Sequence, residues 1–466
     1  MKKVVALILI FLVALCPLYM LSSVAVGDFL VEDGVLLSFT GLTTTVTIPD
    51  DVYYIADNAF KNNTNINKLN IPDTVKAIGN EAFYGCTSLK EVNGGENVNY
   101  VGAYAFYGTE FINSNASSLI TLGSVLIGGN VSGELSLDES VSMIAPYAFS
   151  ENSKLTSFSA SDSLSVIGEG AFYRCTELSL VNVGEQLSFV GPLAFFGTPL
   201  ISESEEDFVV IGDGILIEYT GSDTSVNIPN SVKQIAGGAF YYNTKITDVT
   251  FSQGVSSIGQ RAFMNCTKLQ TITLPKDLLV LDKEAFARCK SLQSVTVPEN
   301  VELMGESVFF GCSSLEKAEL NNSADISKGL FANCTSLKYV KMPQSLNTIG
   351  EDAFLDCTNL TDISLSDSVS FIGENAFSGA LNLTVSCNES SYAFEYCNEN
   401  SVNAMQCGDA NLDGKVNIRD ATYIQKHVAS ILQMTDLEIL RAEVNFDGKI
   451  NVRDATYIQK LLAGLV

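Results

Sequence analysis

With 466 residues the chain exceeds one ordinary globular domain, so several domains or a repeat array are expected, with material for a large core. Lys+Arg number 27 against Asp+Glu 53, a formal net charge of -26. Such charge repels phosphate backbones and anionic lipid headgroups, which makes nucleic acid and acidic membranes poor partners.

In chain order, Lys2 and Lys3 precede an apolar run from Val4 to Leu21 interrupted by Pro17, and Ser23-Val24-Ala25 then place small residues at cleavage-type positions. The pattern predicts a cleaved secretory signal peptide over residues 1–25. An uncleaved anchor is the competing reading, because the run approaches spanning length. Leu15 stands where a small residue is needed before a lipidated Cys16, which rejects a lipoprotein anchor. Beyond this segment no apolar run is long enough to cross a bilayer, so no membrane insertion is expected after cleavage.

From there a single beacon recurs. Phe60, Phe83, Phe106, Phe149, Phe172, Phe195, Phe240, Phe263 and Phe286 all follow Ala, and the register continues through Phe309, Phe331, Phe354 and Phe377. The step is 23 residues, with one of 22 and two long steps of 43 and 45. Self-similarity at this period marks a solenoid, whose units bury their apolar faces only by stacking on neighbours. Thirteen of the 26 Phe residues occupy this one position, which reads as a stacked core ladder. In one unit Leu269, Ile272 and Leu274 alternate as a strand, Pro275 ends it, and Ala285-Phe286 is expected on a short helical return.

Three longer modules overlie the repeat, each opening with a two-strand pattern that turns at Gly or Asp-Gly. They lie near 29–39 around Asp33-Gly34, 119–127 around Gly123-Ser124, and 208–219 around Asp213-Gly214. After residue 240 plain repeats follow. Residues 381–405, with Tyr392, Phe394, Tyr396 and Cys397, break the pattern as a terminal cap. Cys266, Cys289, Cys312, Cys334 and Cys357 recur with the repeat, and elsewhere Asn63, Asn152, Asn243, Thr109 and Thr198 take that position three after Phe. A small buried group inside the turn, with a free thiol, is expected; oxidation between rungs, or pairing among Cys387, Cys397 and Cys407, stays open.

These residues resemble the BspA-like class of bacterial leucine-rich repeats, with its I-G-x-x-A-F-x-x-C-x-x-L-x-x-I-x-L-P pattern, over residues 27–405. The resemblance implies an α/β fold, a curved parallel-β leucine-rich-repeat solenoid with short helical returns, which presents a surface to a ligand and performs no catalysis.

Residues 408–466 change character. Asp409, Asn411, Asp413, Asn417 and Asp420 place oxygen donors at positions 1, 3, 5, 9 and 12 of a loop with Gly414 at position 6, and Lys415 offers its carbonyl at position 7. A hard cation needs this spacing, since alternate residues of a tight loop point inward and Gly permits the sharp turn. Thirty-four residues on, Glu443, Asn445, Asp447, Gly448, Lys449, Asn451 and Asp454 repeat it. Each loop runs into an ATYIQK helix, in which Ala421, Ile424 and Val428, and Ala455, Ile458 and Leu462, form the expected core stripes.

The pair of loops and helices is similar to a type I dockerin, the small all-α calcium-binding module that attaches proteins to cohesin domains on cellulosomal scaffoldins. The resemblance implies two calcium ions, one on Asp409, Asn411, Asp413, Lys415, Asn417 and Asp420, the other on Glu443, Asn445, Asp447, Lys449, Asn451 and Asp454. Glu443 departs from the Asp of the pattern, which weakens the second site. Position 12 is Asp where sensor loops carry bidentate Glu, so calcium should hold the fold, not switch it. Ile418, Arg419 and Lys426, with their copies Val452, Arg453 and Lys460, are implied as the cohesin-facing surface. Because the copies match, two binding orientations are expected. Tyr423 and Tyr457 suit either packing or contact.

Chemistry is poorly supplied in the array. His427, the only histidine, lies in the C-terminal module, so Ser-His-Asp and Cys-His systems are excluded there. There is no Trp. The expectation is a non-catalytic, secreted, cell-surface subunit whose repeats recognise a protein or polysaccharide; an unfamiliar carbohydrate-active hydrolase delivered by the dockerin is the alternative. On the strands the residue before the last apolar one is small, polar and expected exposed: Asn70, Asn93, Ser159, Asn182, Thr250, Thr273, Thr296 and Ser364, with Glu319 and Lys341 as exceptions. A second row after Ala-Phe is aromatic: Tyr84, Tyr107, Tyr173, Phe196, Tyr241 and Phe310.

Overall fold

A computed structural model describes residues 24–465 apart from 115–118, 323–324 and 344. The expected signal segment, save Val24 and Ala25, lies outside the described residues. The chain divides into two compact units, one through Gly221 and one from Ser222 onward.

In the first unit Phe29–Glu32 and Val35–Phe39 form an antiparallel hairpin bulged between Leu30 and Val31. Val35 and Leu36 then pair in parallel with Tyr54 and Ile55, and the ladder continues through Ala77–Ile78 to Tyr100–Val101. A second parallel sheet joins Thr45–Thr47, Lys68–Ile71 and Glu91–Gly94. The second module repeats this: a hairpin of Ile120–Leu122 and Val125–Gly128, a ladder through Met143–Ile144, Val166–Ile167 and Phe189–Val190, and a second sheet from Gly133–Leu137 to Leu180–Asn182. The third hairpin, Phe208–Ile211 with Ile215–Tyr219, closes the unit. These three hairpins fall where the turn residues placed them, and Val24–Val26 adds a further antiparallel strand to the first, against Phe29–Glu32.

The second unit carries the same two ladders, from Ser225–Asn227 to Thr271–Thr273 and from Gln234–Ile235 to Leu303–Met304, and no hairpin among its described residues. Its longest sheet runs in parallel from Ser294–Val297 through Lys317–Leu320, Tyr339–Lys341, Asp362–Ser364 and Thr384–Cys387 to Asn403–Gln406. The expected cap thus adds a rung of its own.

The return that carries Ala-Phe is not helical. Helices within the repeats are few and lie elsewhere: α1 (Glu110–Ser114), α2 (Pro199–Ser202) and α3 (Tyr392–Glu399). The residues two before and two after each Phe adopt left-handed backbone, as at Asn58 and Asn62, Arg261 and Asn265, or Asp352 and Asp356, and a left-handed residue every fourth position cannot belong to a right-handed helix. This geometry divides the N–H groups between two tasks. Phe60 N–H donates to the Ala82 carbonyl one rung on at 2.8 Å and Asn62 N–H to Tyr84 at 2.7 Å, while Lys61 and Asn63 close turns onto Asn58 and Phe60. Backbone groups buried between rungs are therefore satisfied along the stack.

The Phe ladder stacks as expected, with centroid separations of 4.5 Å for Phe240–Phe263 and 5.8 Å for Phe286–Phe309, and Tyr396 of α3 closes it edge-on against Phe377. The position three after Phe is a donor, which its small size did not reveal. Cys86 Sγ donates to the Phe60 carbonyl and Cys266 Sγ to that of Phe240, both at 3.1 Å; Asn152 Nδ2 reaches the Val131 carbonyl at 2.9 Å, and Thr109 Oγ1 that of Phe106 at 2.7 Å. The ten described cysteines are buried and free, Cys387, Cys397 and Cys407 included. Burial pushes the Cys86 thiol up to about 11.

Glu218, on the last hairpin strand of the first unit, is held by burial well above the ordinary carboxylate range, at about 8. The folded chain then binds this proton more tightly than the unfolded one. Its contribution to stability is complete below about 4.5 and is lost as the pH rises through about 8. Glu218→Gln should melt with the wild type at about pH 4 and several degrees above it at about pH 9; parallel melting curves would contradict the assignment.

Candidate metal and partner-binding site

After Cys407 three helices form a separate small core. They are α4 (Ile418–Val428), α5 (Asp436–Ala442) and α6 (Val452–Leu462). Ala421, Ile424, Ala455 and Ile458 meet between α4 and α6, joined by Ala410, Met434, Ala442 and Val444. The third member of each expected stripe is outside: Val428 is 39% and Leu462 47% exposed, since both lie in final turns beyond this core.

Each loop ends in the cap of its helix. Asn417 accepts from Arg419 N–H at 2.9 Å, and Asp420 reaches back to Asn417 N–H at 2.8 Å; Asn451 and Asp454 do the same at 2.8 and 2.9 Å. These are capping boxes with Asp as the returning acid. Positions 9 and 12 thus organise the helix start as well as offering oxygen to the loop.

Inside the loops several bonds recur in both copies. Asp409 accepts from Asp413 N–H at 3.0 Å and Glu443 from Asp447 N–H at 2.7 Å; Asp413 and Asp447 accept from Lys415 and Lys449 N–H, both at 3.1 Å. Gly414 (φ +79) and Gly448 (φ +75) supply the left-handed turn that position 6 requires. Leu412 and Phe446 at position 4 are left-handed too, which the sequence did not signal.

The electrostatics are unbalanced. Asp409, Asp420 and Asp454 are fully buried. Burial raises the carboxyls of Asp420 and Asp454 above their ordinary range, and burial with the charge of Asp454 pushes Glu443 up to about 7. Asn445 Nδ2 is buried with no hydrogen-bond partner. Among the described residues no three His, Cys, Asp or Glu side chains gather as a group that could hold a metal. Beside the carboxylates the loops carry Asn amide oxygens and the Lys415 and Lys449 carbonyls, which accept from Asn417 and Asn451 Nδ2 at 3.1 and 3.0 Å, a mixed oxygen set of the kind that suits a hard ion.

The surface residues are available in both copies. Ile418 and Val452 are 56% and 58% exposed, and Arg419, Lys426, Arg453 and Lys460 are exposed as well. The tyrosines differ: Tyr423 donates to Glu438 at 2.7 Å, whereas the Tyr457 hydroxyl accepts from Asn388 of the repeats at 3.4 Å. His427 accepts from Met434 N–H at 3.2 Å, a structural role.

One expectation about the repeats fails here. Ser364, expected exposed, is buried, and its hydroxyl donates to the Leu440 carbonyl of α5 at 3.0 Å. The helix covers the strand, a tertiary contact that no repeat pattern encodes.

Fold and site together define a repeat protein carrying a paired-loop helical module. The BspA type leucine rich repeat region matches residues 37–126, 130–206, 210–325 and 324–408, and the dockerin type I domain matches residues 407–463. The chain belongs to the BspA-type leucine-rich repeat family and carries a type I dockerin domain. Similar solved structures include a leucine-rich repeat protein from Eubacterium ventriosum (22% identity, 75% of this chain, 92% of that one, TM-score 0.35) and one from Bacteroides ovatus (21%, 83%, 99%, 0.36). A leucine rich cell surface protein from Faecalibacterium prausnitzii is 24% identical over 69% of this chain and 95% of its own, with TM-score 0.30. No curated protein matches. Both matched families are interaction modules, and no enzyme domain is among the matches. Type I dockerins as a class bind calcium and pair with cohesins, and the two families together suggest an extracellular or cell-surface protein. Among the described residues no helix is long and apolar enough to cross a membrane.

Proposed function

We propose that this chain is a non-catalytic, secreted subunit of a cellulosome-type assembly, in which residues 408–466 attach it to a scaffoldin cohesin in a calcium-dependent way and residues 27–405 form a recognition surface. The observation that carries the reading is the duplicated loop: two copies that share their main hydrogen bonds and left-handed positions, with carboxylates at positions 1 and 12 gathered in each. Asp409, Asn411, Asp413, Lys415, Asn417 and Asp420 would hold one ion, and Glu443, Asn445, Asp447, Lys449, Asn451 and Asp454 the second. The longer side chain of Glu443, where the first loop has Asp409, makes the second site the weaker.

The partner-facing residues are Ile418, Arg419 and Lys426, or equally Val452, Arg453 and Lys460. Each set combines an exposed branched side chain at a helix start with two cations, and the copies support two binding orientations. A module of this size has little core, so the ions supply folding energy directly.

On the repeats, the aromatic row offers the best surface for a protein or polysaccharide ligand. Tyr84 and Tyr107 stack at 5.5 Å and Tyr173 and Phe196 at 5.6 Å, with Arg174 over Tyr173 and Tyr107 left 59% exposed. The rings pack on adjacent rungs and still present an edge to solvent.

Excess EDTA should abolish both binding to a panel of type I cohesins and the calcium-dependent part of the helical circular dichroism; binding retained in EDTA would sink the proposal. Tyr107→Ala with Tyr173→Ala should weaken retention on polysaccharide and protein panels about tenfold, since stacked aromatic contacts are worth about 1 kcal/mol each. Undiminished retention would remove the aromatic row from the account, and product release from the panel would favour the hydrolase alternative.

A further inference from the structure

Along the longest sheet of the second unit, the side chains facing out of the strands lose their exposure in order. Ser294 and Thr296 are exposed, Lys317, Glu319, Tyr339 and Lys341 are half-buried, and Asp362 and Ser364 are buried. The cover is α5 of the dockerin. Besides the Ser364 bond to Leu440, Lys317 Nζ lies 3.3 Å from Asp436 Oδ2, and Arg441 Nε donates to Asp362 Oδ1 at 3.0 Å with Nη2 on the same oxygen. The other arm of the same guanidinium, Nη1, donates to Asp409 Oδ2 at 3.3 Å. Asp409 is position 1 of the first loop, and its two oxygens are otherwise held by the N–H groups of Asp413 and Gly414, both at 3.0 Å.

Arg441 stands outside the internal duplication. It precedes Glu443 by two residues, and the matching place before Asp409 is Cys407, so the loop fold does not require it. Its side chain is 16% exposed, that of Asp362 7% and that of Asp409 0%. A guanidinium this close to a loop carboxylate would oppose a dication unless its charge is balanced and its position fixed. Asp362 does both.

We propose that Asp362, a residue of the repeat array, is a positioning residue for the first calcium loop: through Arg441 it orients Asp409, so that filling the loop and seating the dockerin on the last rungs are one coupled equilibrium. This rests on the reading that the loop binds calcium. Outer groups that orient a ligand commonly govern metal affinity by about 10–100-fold. Linkage requires that the cation strengthen seating by the same factor by which seating strengthens cation binding.

Two readouts on the full chain test it. Calorimetric titration with calcium alone should show one of two sites weakened about tenfold by Asp362→Asn, while Asp362→Glu keeps most of the affinity and Glu351→Gln, an equal change of net charge at another place, leaves both sites alone. Seating is read from the alkylation rate of a cysteine placed by Ser364→Cys, against the ten described native thiols, which are buried. That rate should be slow with calcium, should rise in EDTA, and should be fast in Ser364→Cys combined with Asp362→Asn even at moderate calcium. Calcium binding to Asp362→Asn like the wild type, or alkylation indifferent to calcium in a chain that binds it, overturns the coupling alone. A wild-type chain that binds no calcium overturns the loop reading and the coupling with it.

Discussion

Three carboxylates sealed away from water set the terms for the C-terminal module. Asp409, Asp420 and Asp454 are fully buried in a domain of about sixty residues, and burial raises the carboxyl of Glu443 at the head of the second loop. Backbone N–H groups hold each carboxylate in place but supply no net charge, and the Arg441 guanidinium that reaches Asp409 is shared with Asp362, so the burial of these charges is expensive. The capping of α4 and α6, the left-handed turns at Gly414 and Gly448 and the core between the helices all depend on loops that stay closed against this repulsion. On the proposed reading a hard cation in each loop removes it, so that metal binding and folding are coupled.

In the repeats the governing interaction is different and purely local in one dimension. Within a module one rung hands hydrogen bonds to the next, through two parallel ladders and through the N–H groups of the return, while Phe side chains such as Phe240 and Phe263 stack behind them. Periodic ion pairs such as Lys68–Glu91, Lys283–Glu306 and Lys328–Glu351 follow the same spacing on the outside and add little stability each. An array of this kind can change its surface side chains without disturbing the stack.

The parts legible in the sequence were those with a period or a fixed turn chemistry. Phe at 23-residue steps, the three hairpins at Asp-Gly or Gly-Ser, and the oxygen spacing around Gly414 and Gly448 each constrain residue type at a known offset. What escaped had no such constraint. The ladder that continues each hairpin uses strands of two residues, such as Ser257–Ile258 paired with Val280–Leu281, too short for alternation to register. The left-handed residues around Ala-Phe are more often Asn, Glu, Tyr, Arg, Leu, Ser or Asp than Gly, so the return read as helix. The exchange of Cys, Asn and Thr looked like a choice of size, when the shared property is a donor aimed at a carbonyl. The contact of α5 with Asp362 and Ser364 is tertiary, and neither repeat family's internal pattern contains it.

The central claim is that each acidic loop carries a divalent ion. Native mass spectrometry of the full chain in calcium counts them directly. The account predicts two bound ions, falling to one when Asp413→Ala and Asp420→Ala are combined in the first loop and to one when Asp447→Ala and Asp454→Ala are combined in the second. A chain that takes up no calcium, or keeps both ions through either pair of changes, would contradict it.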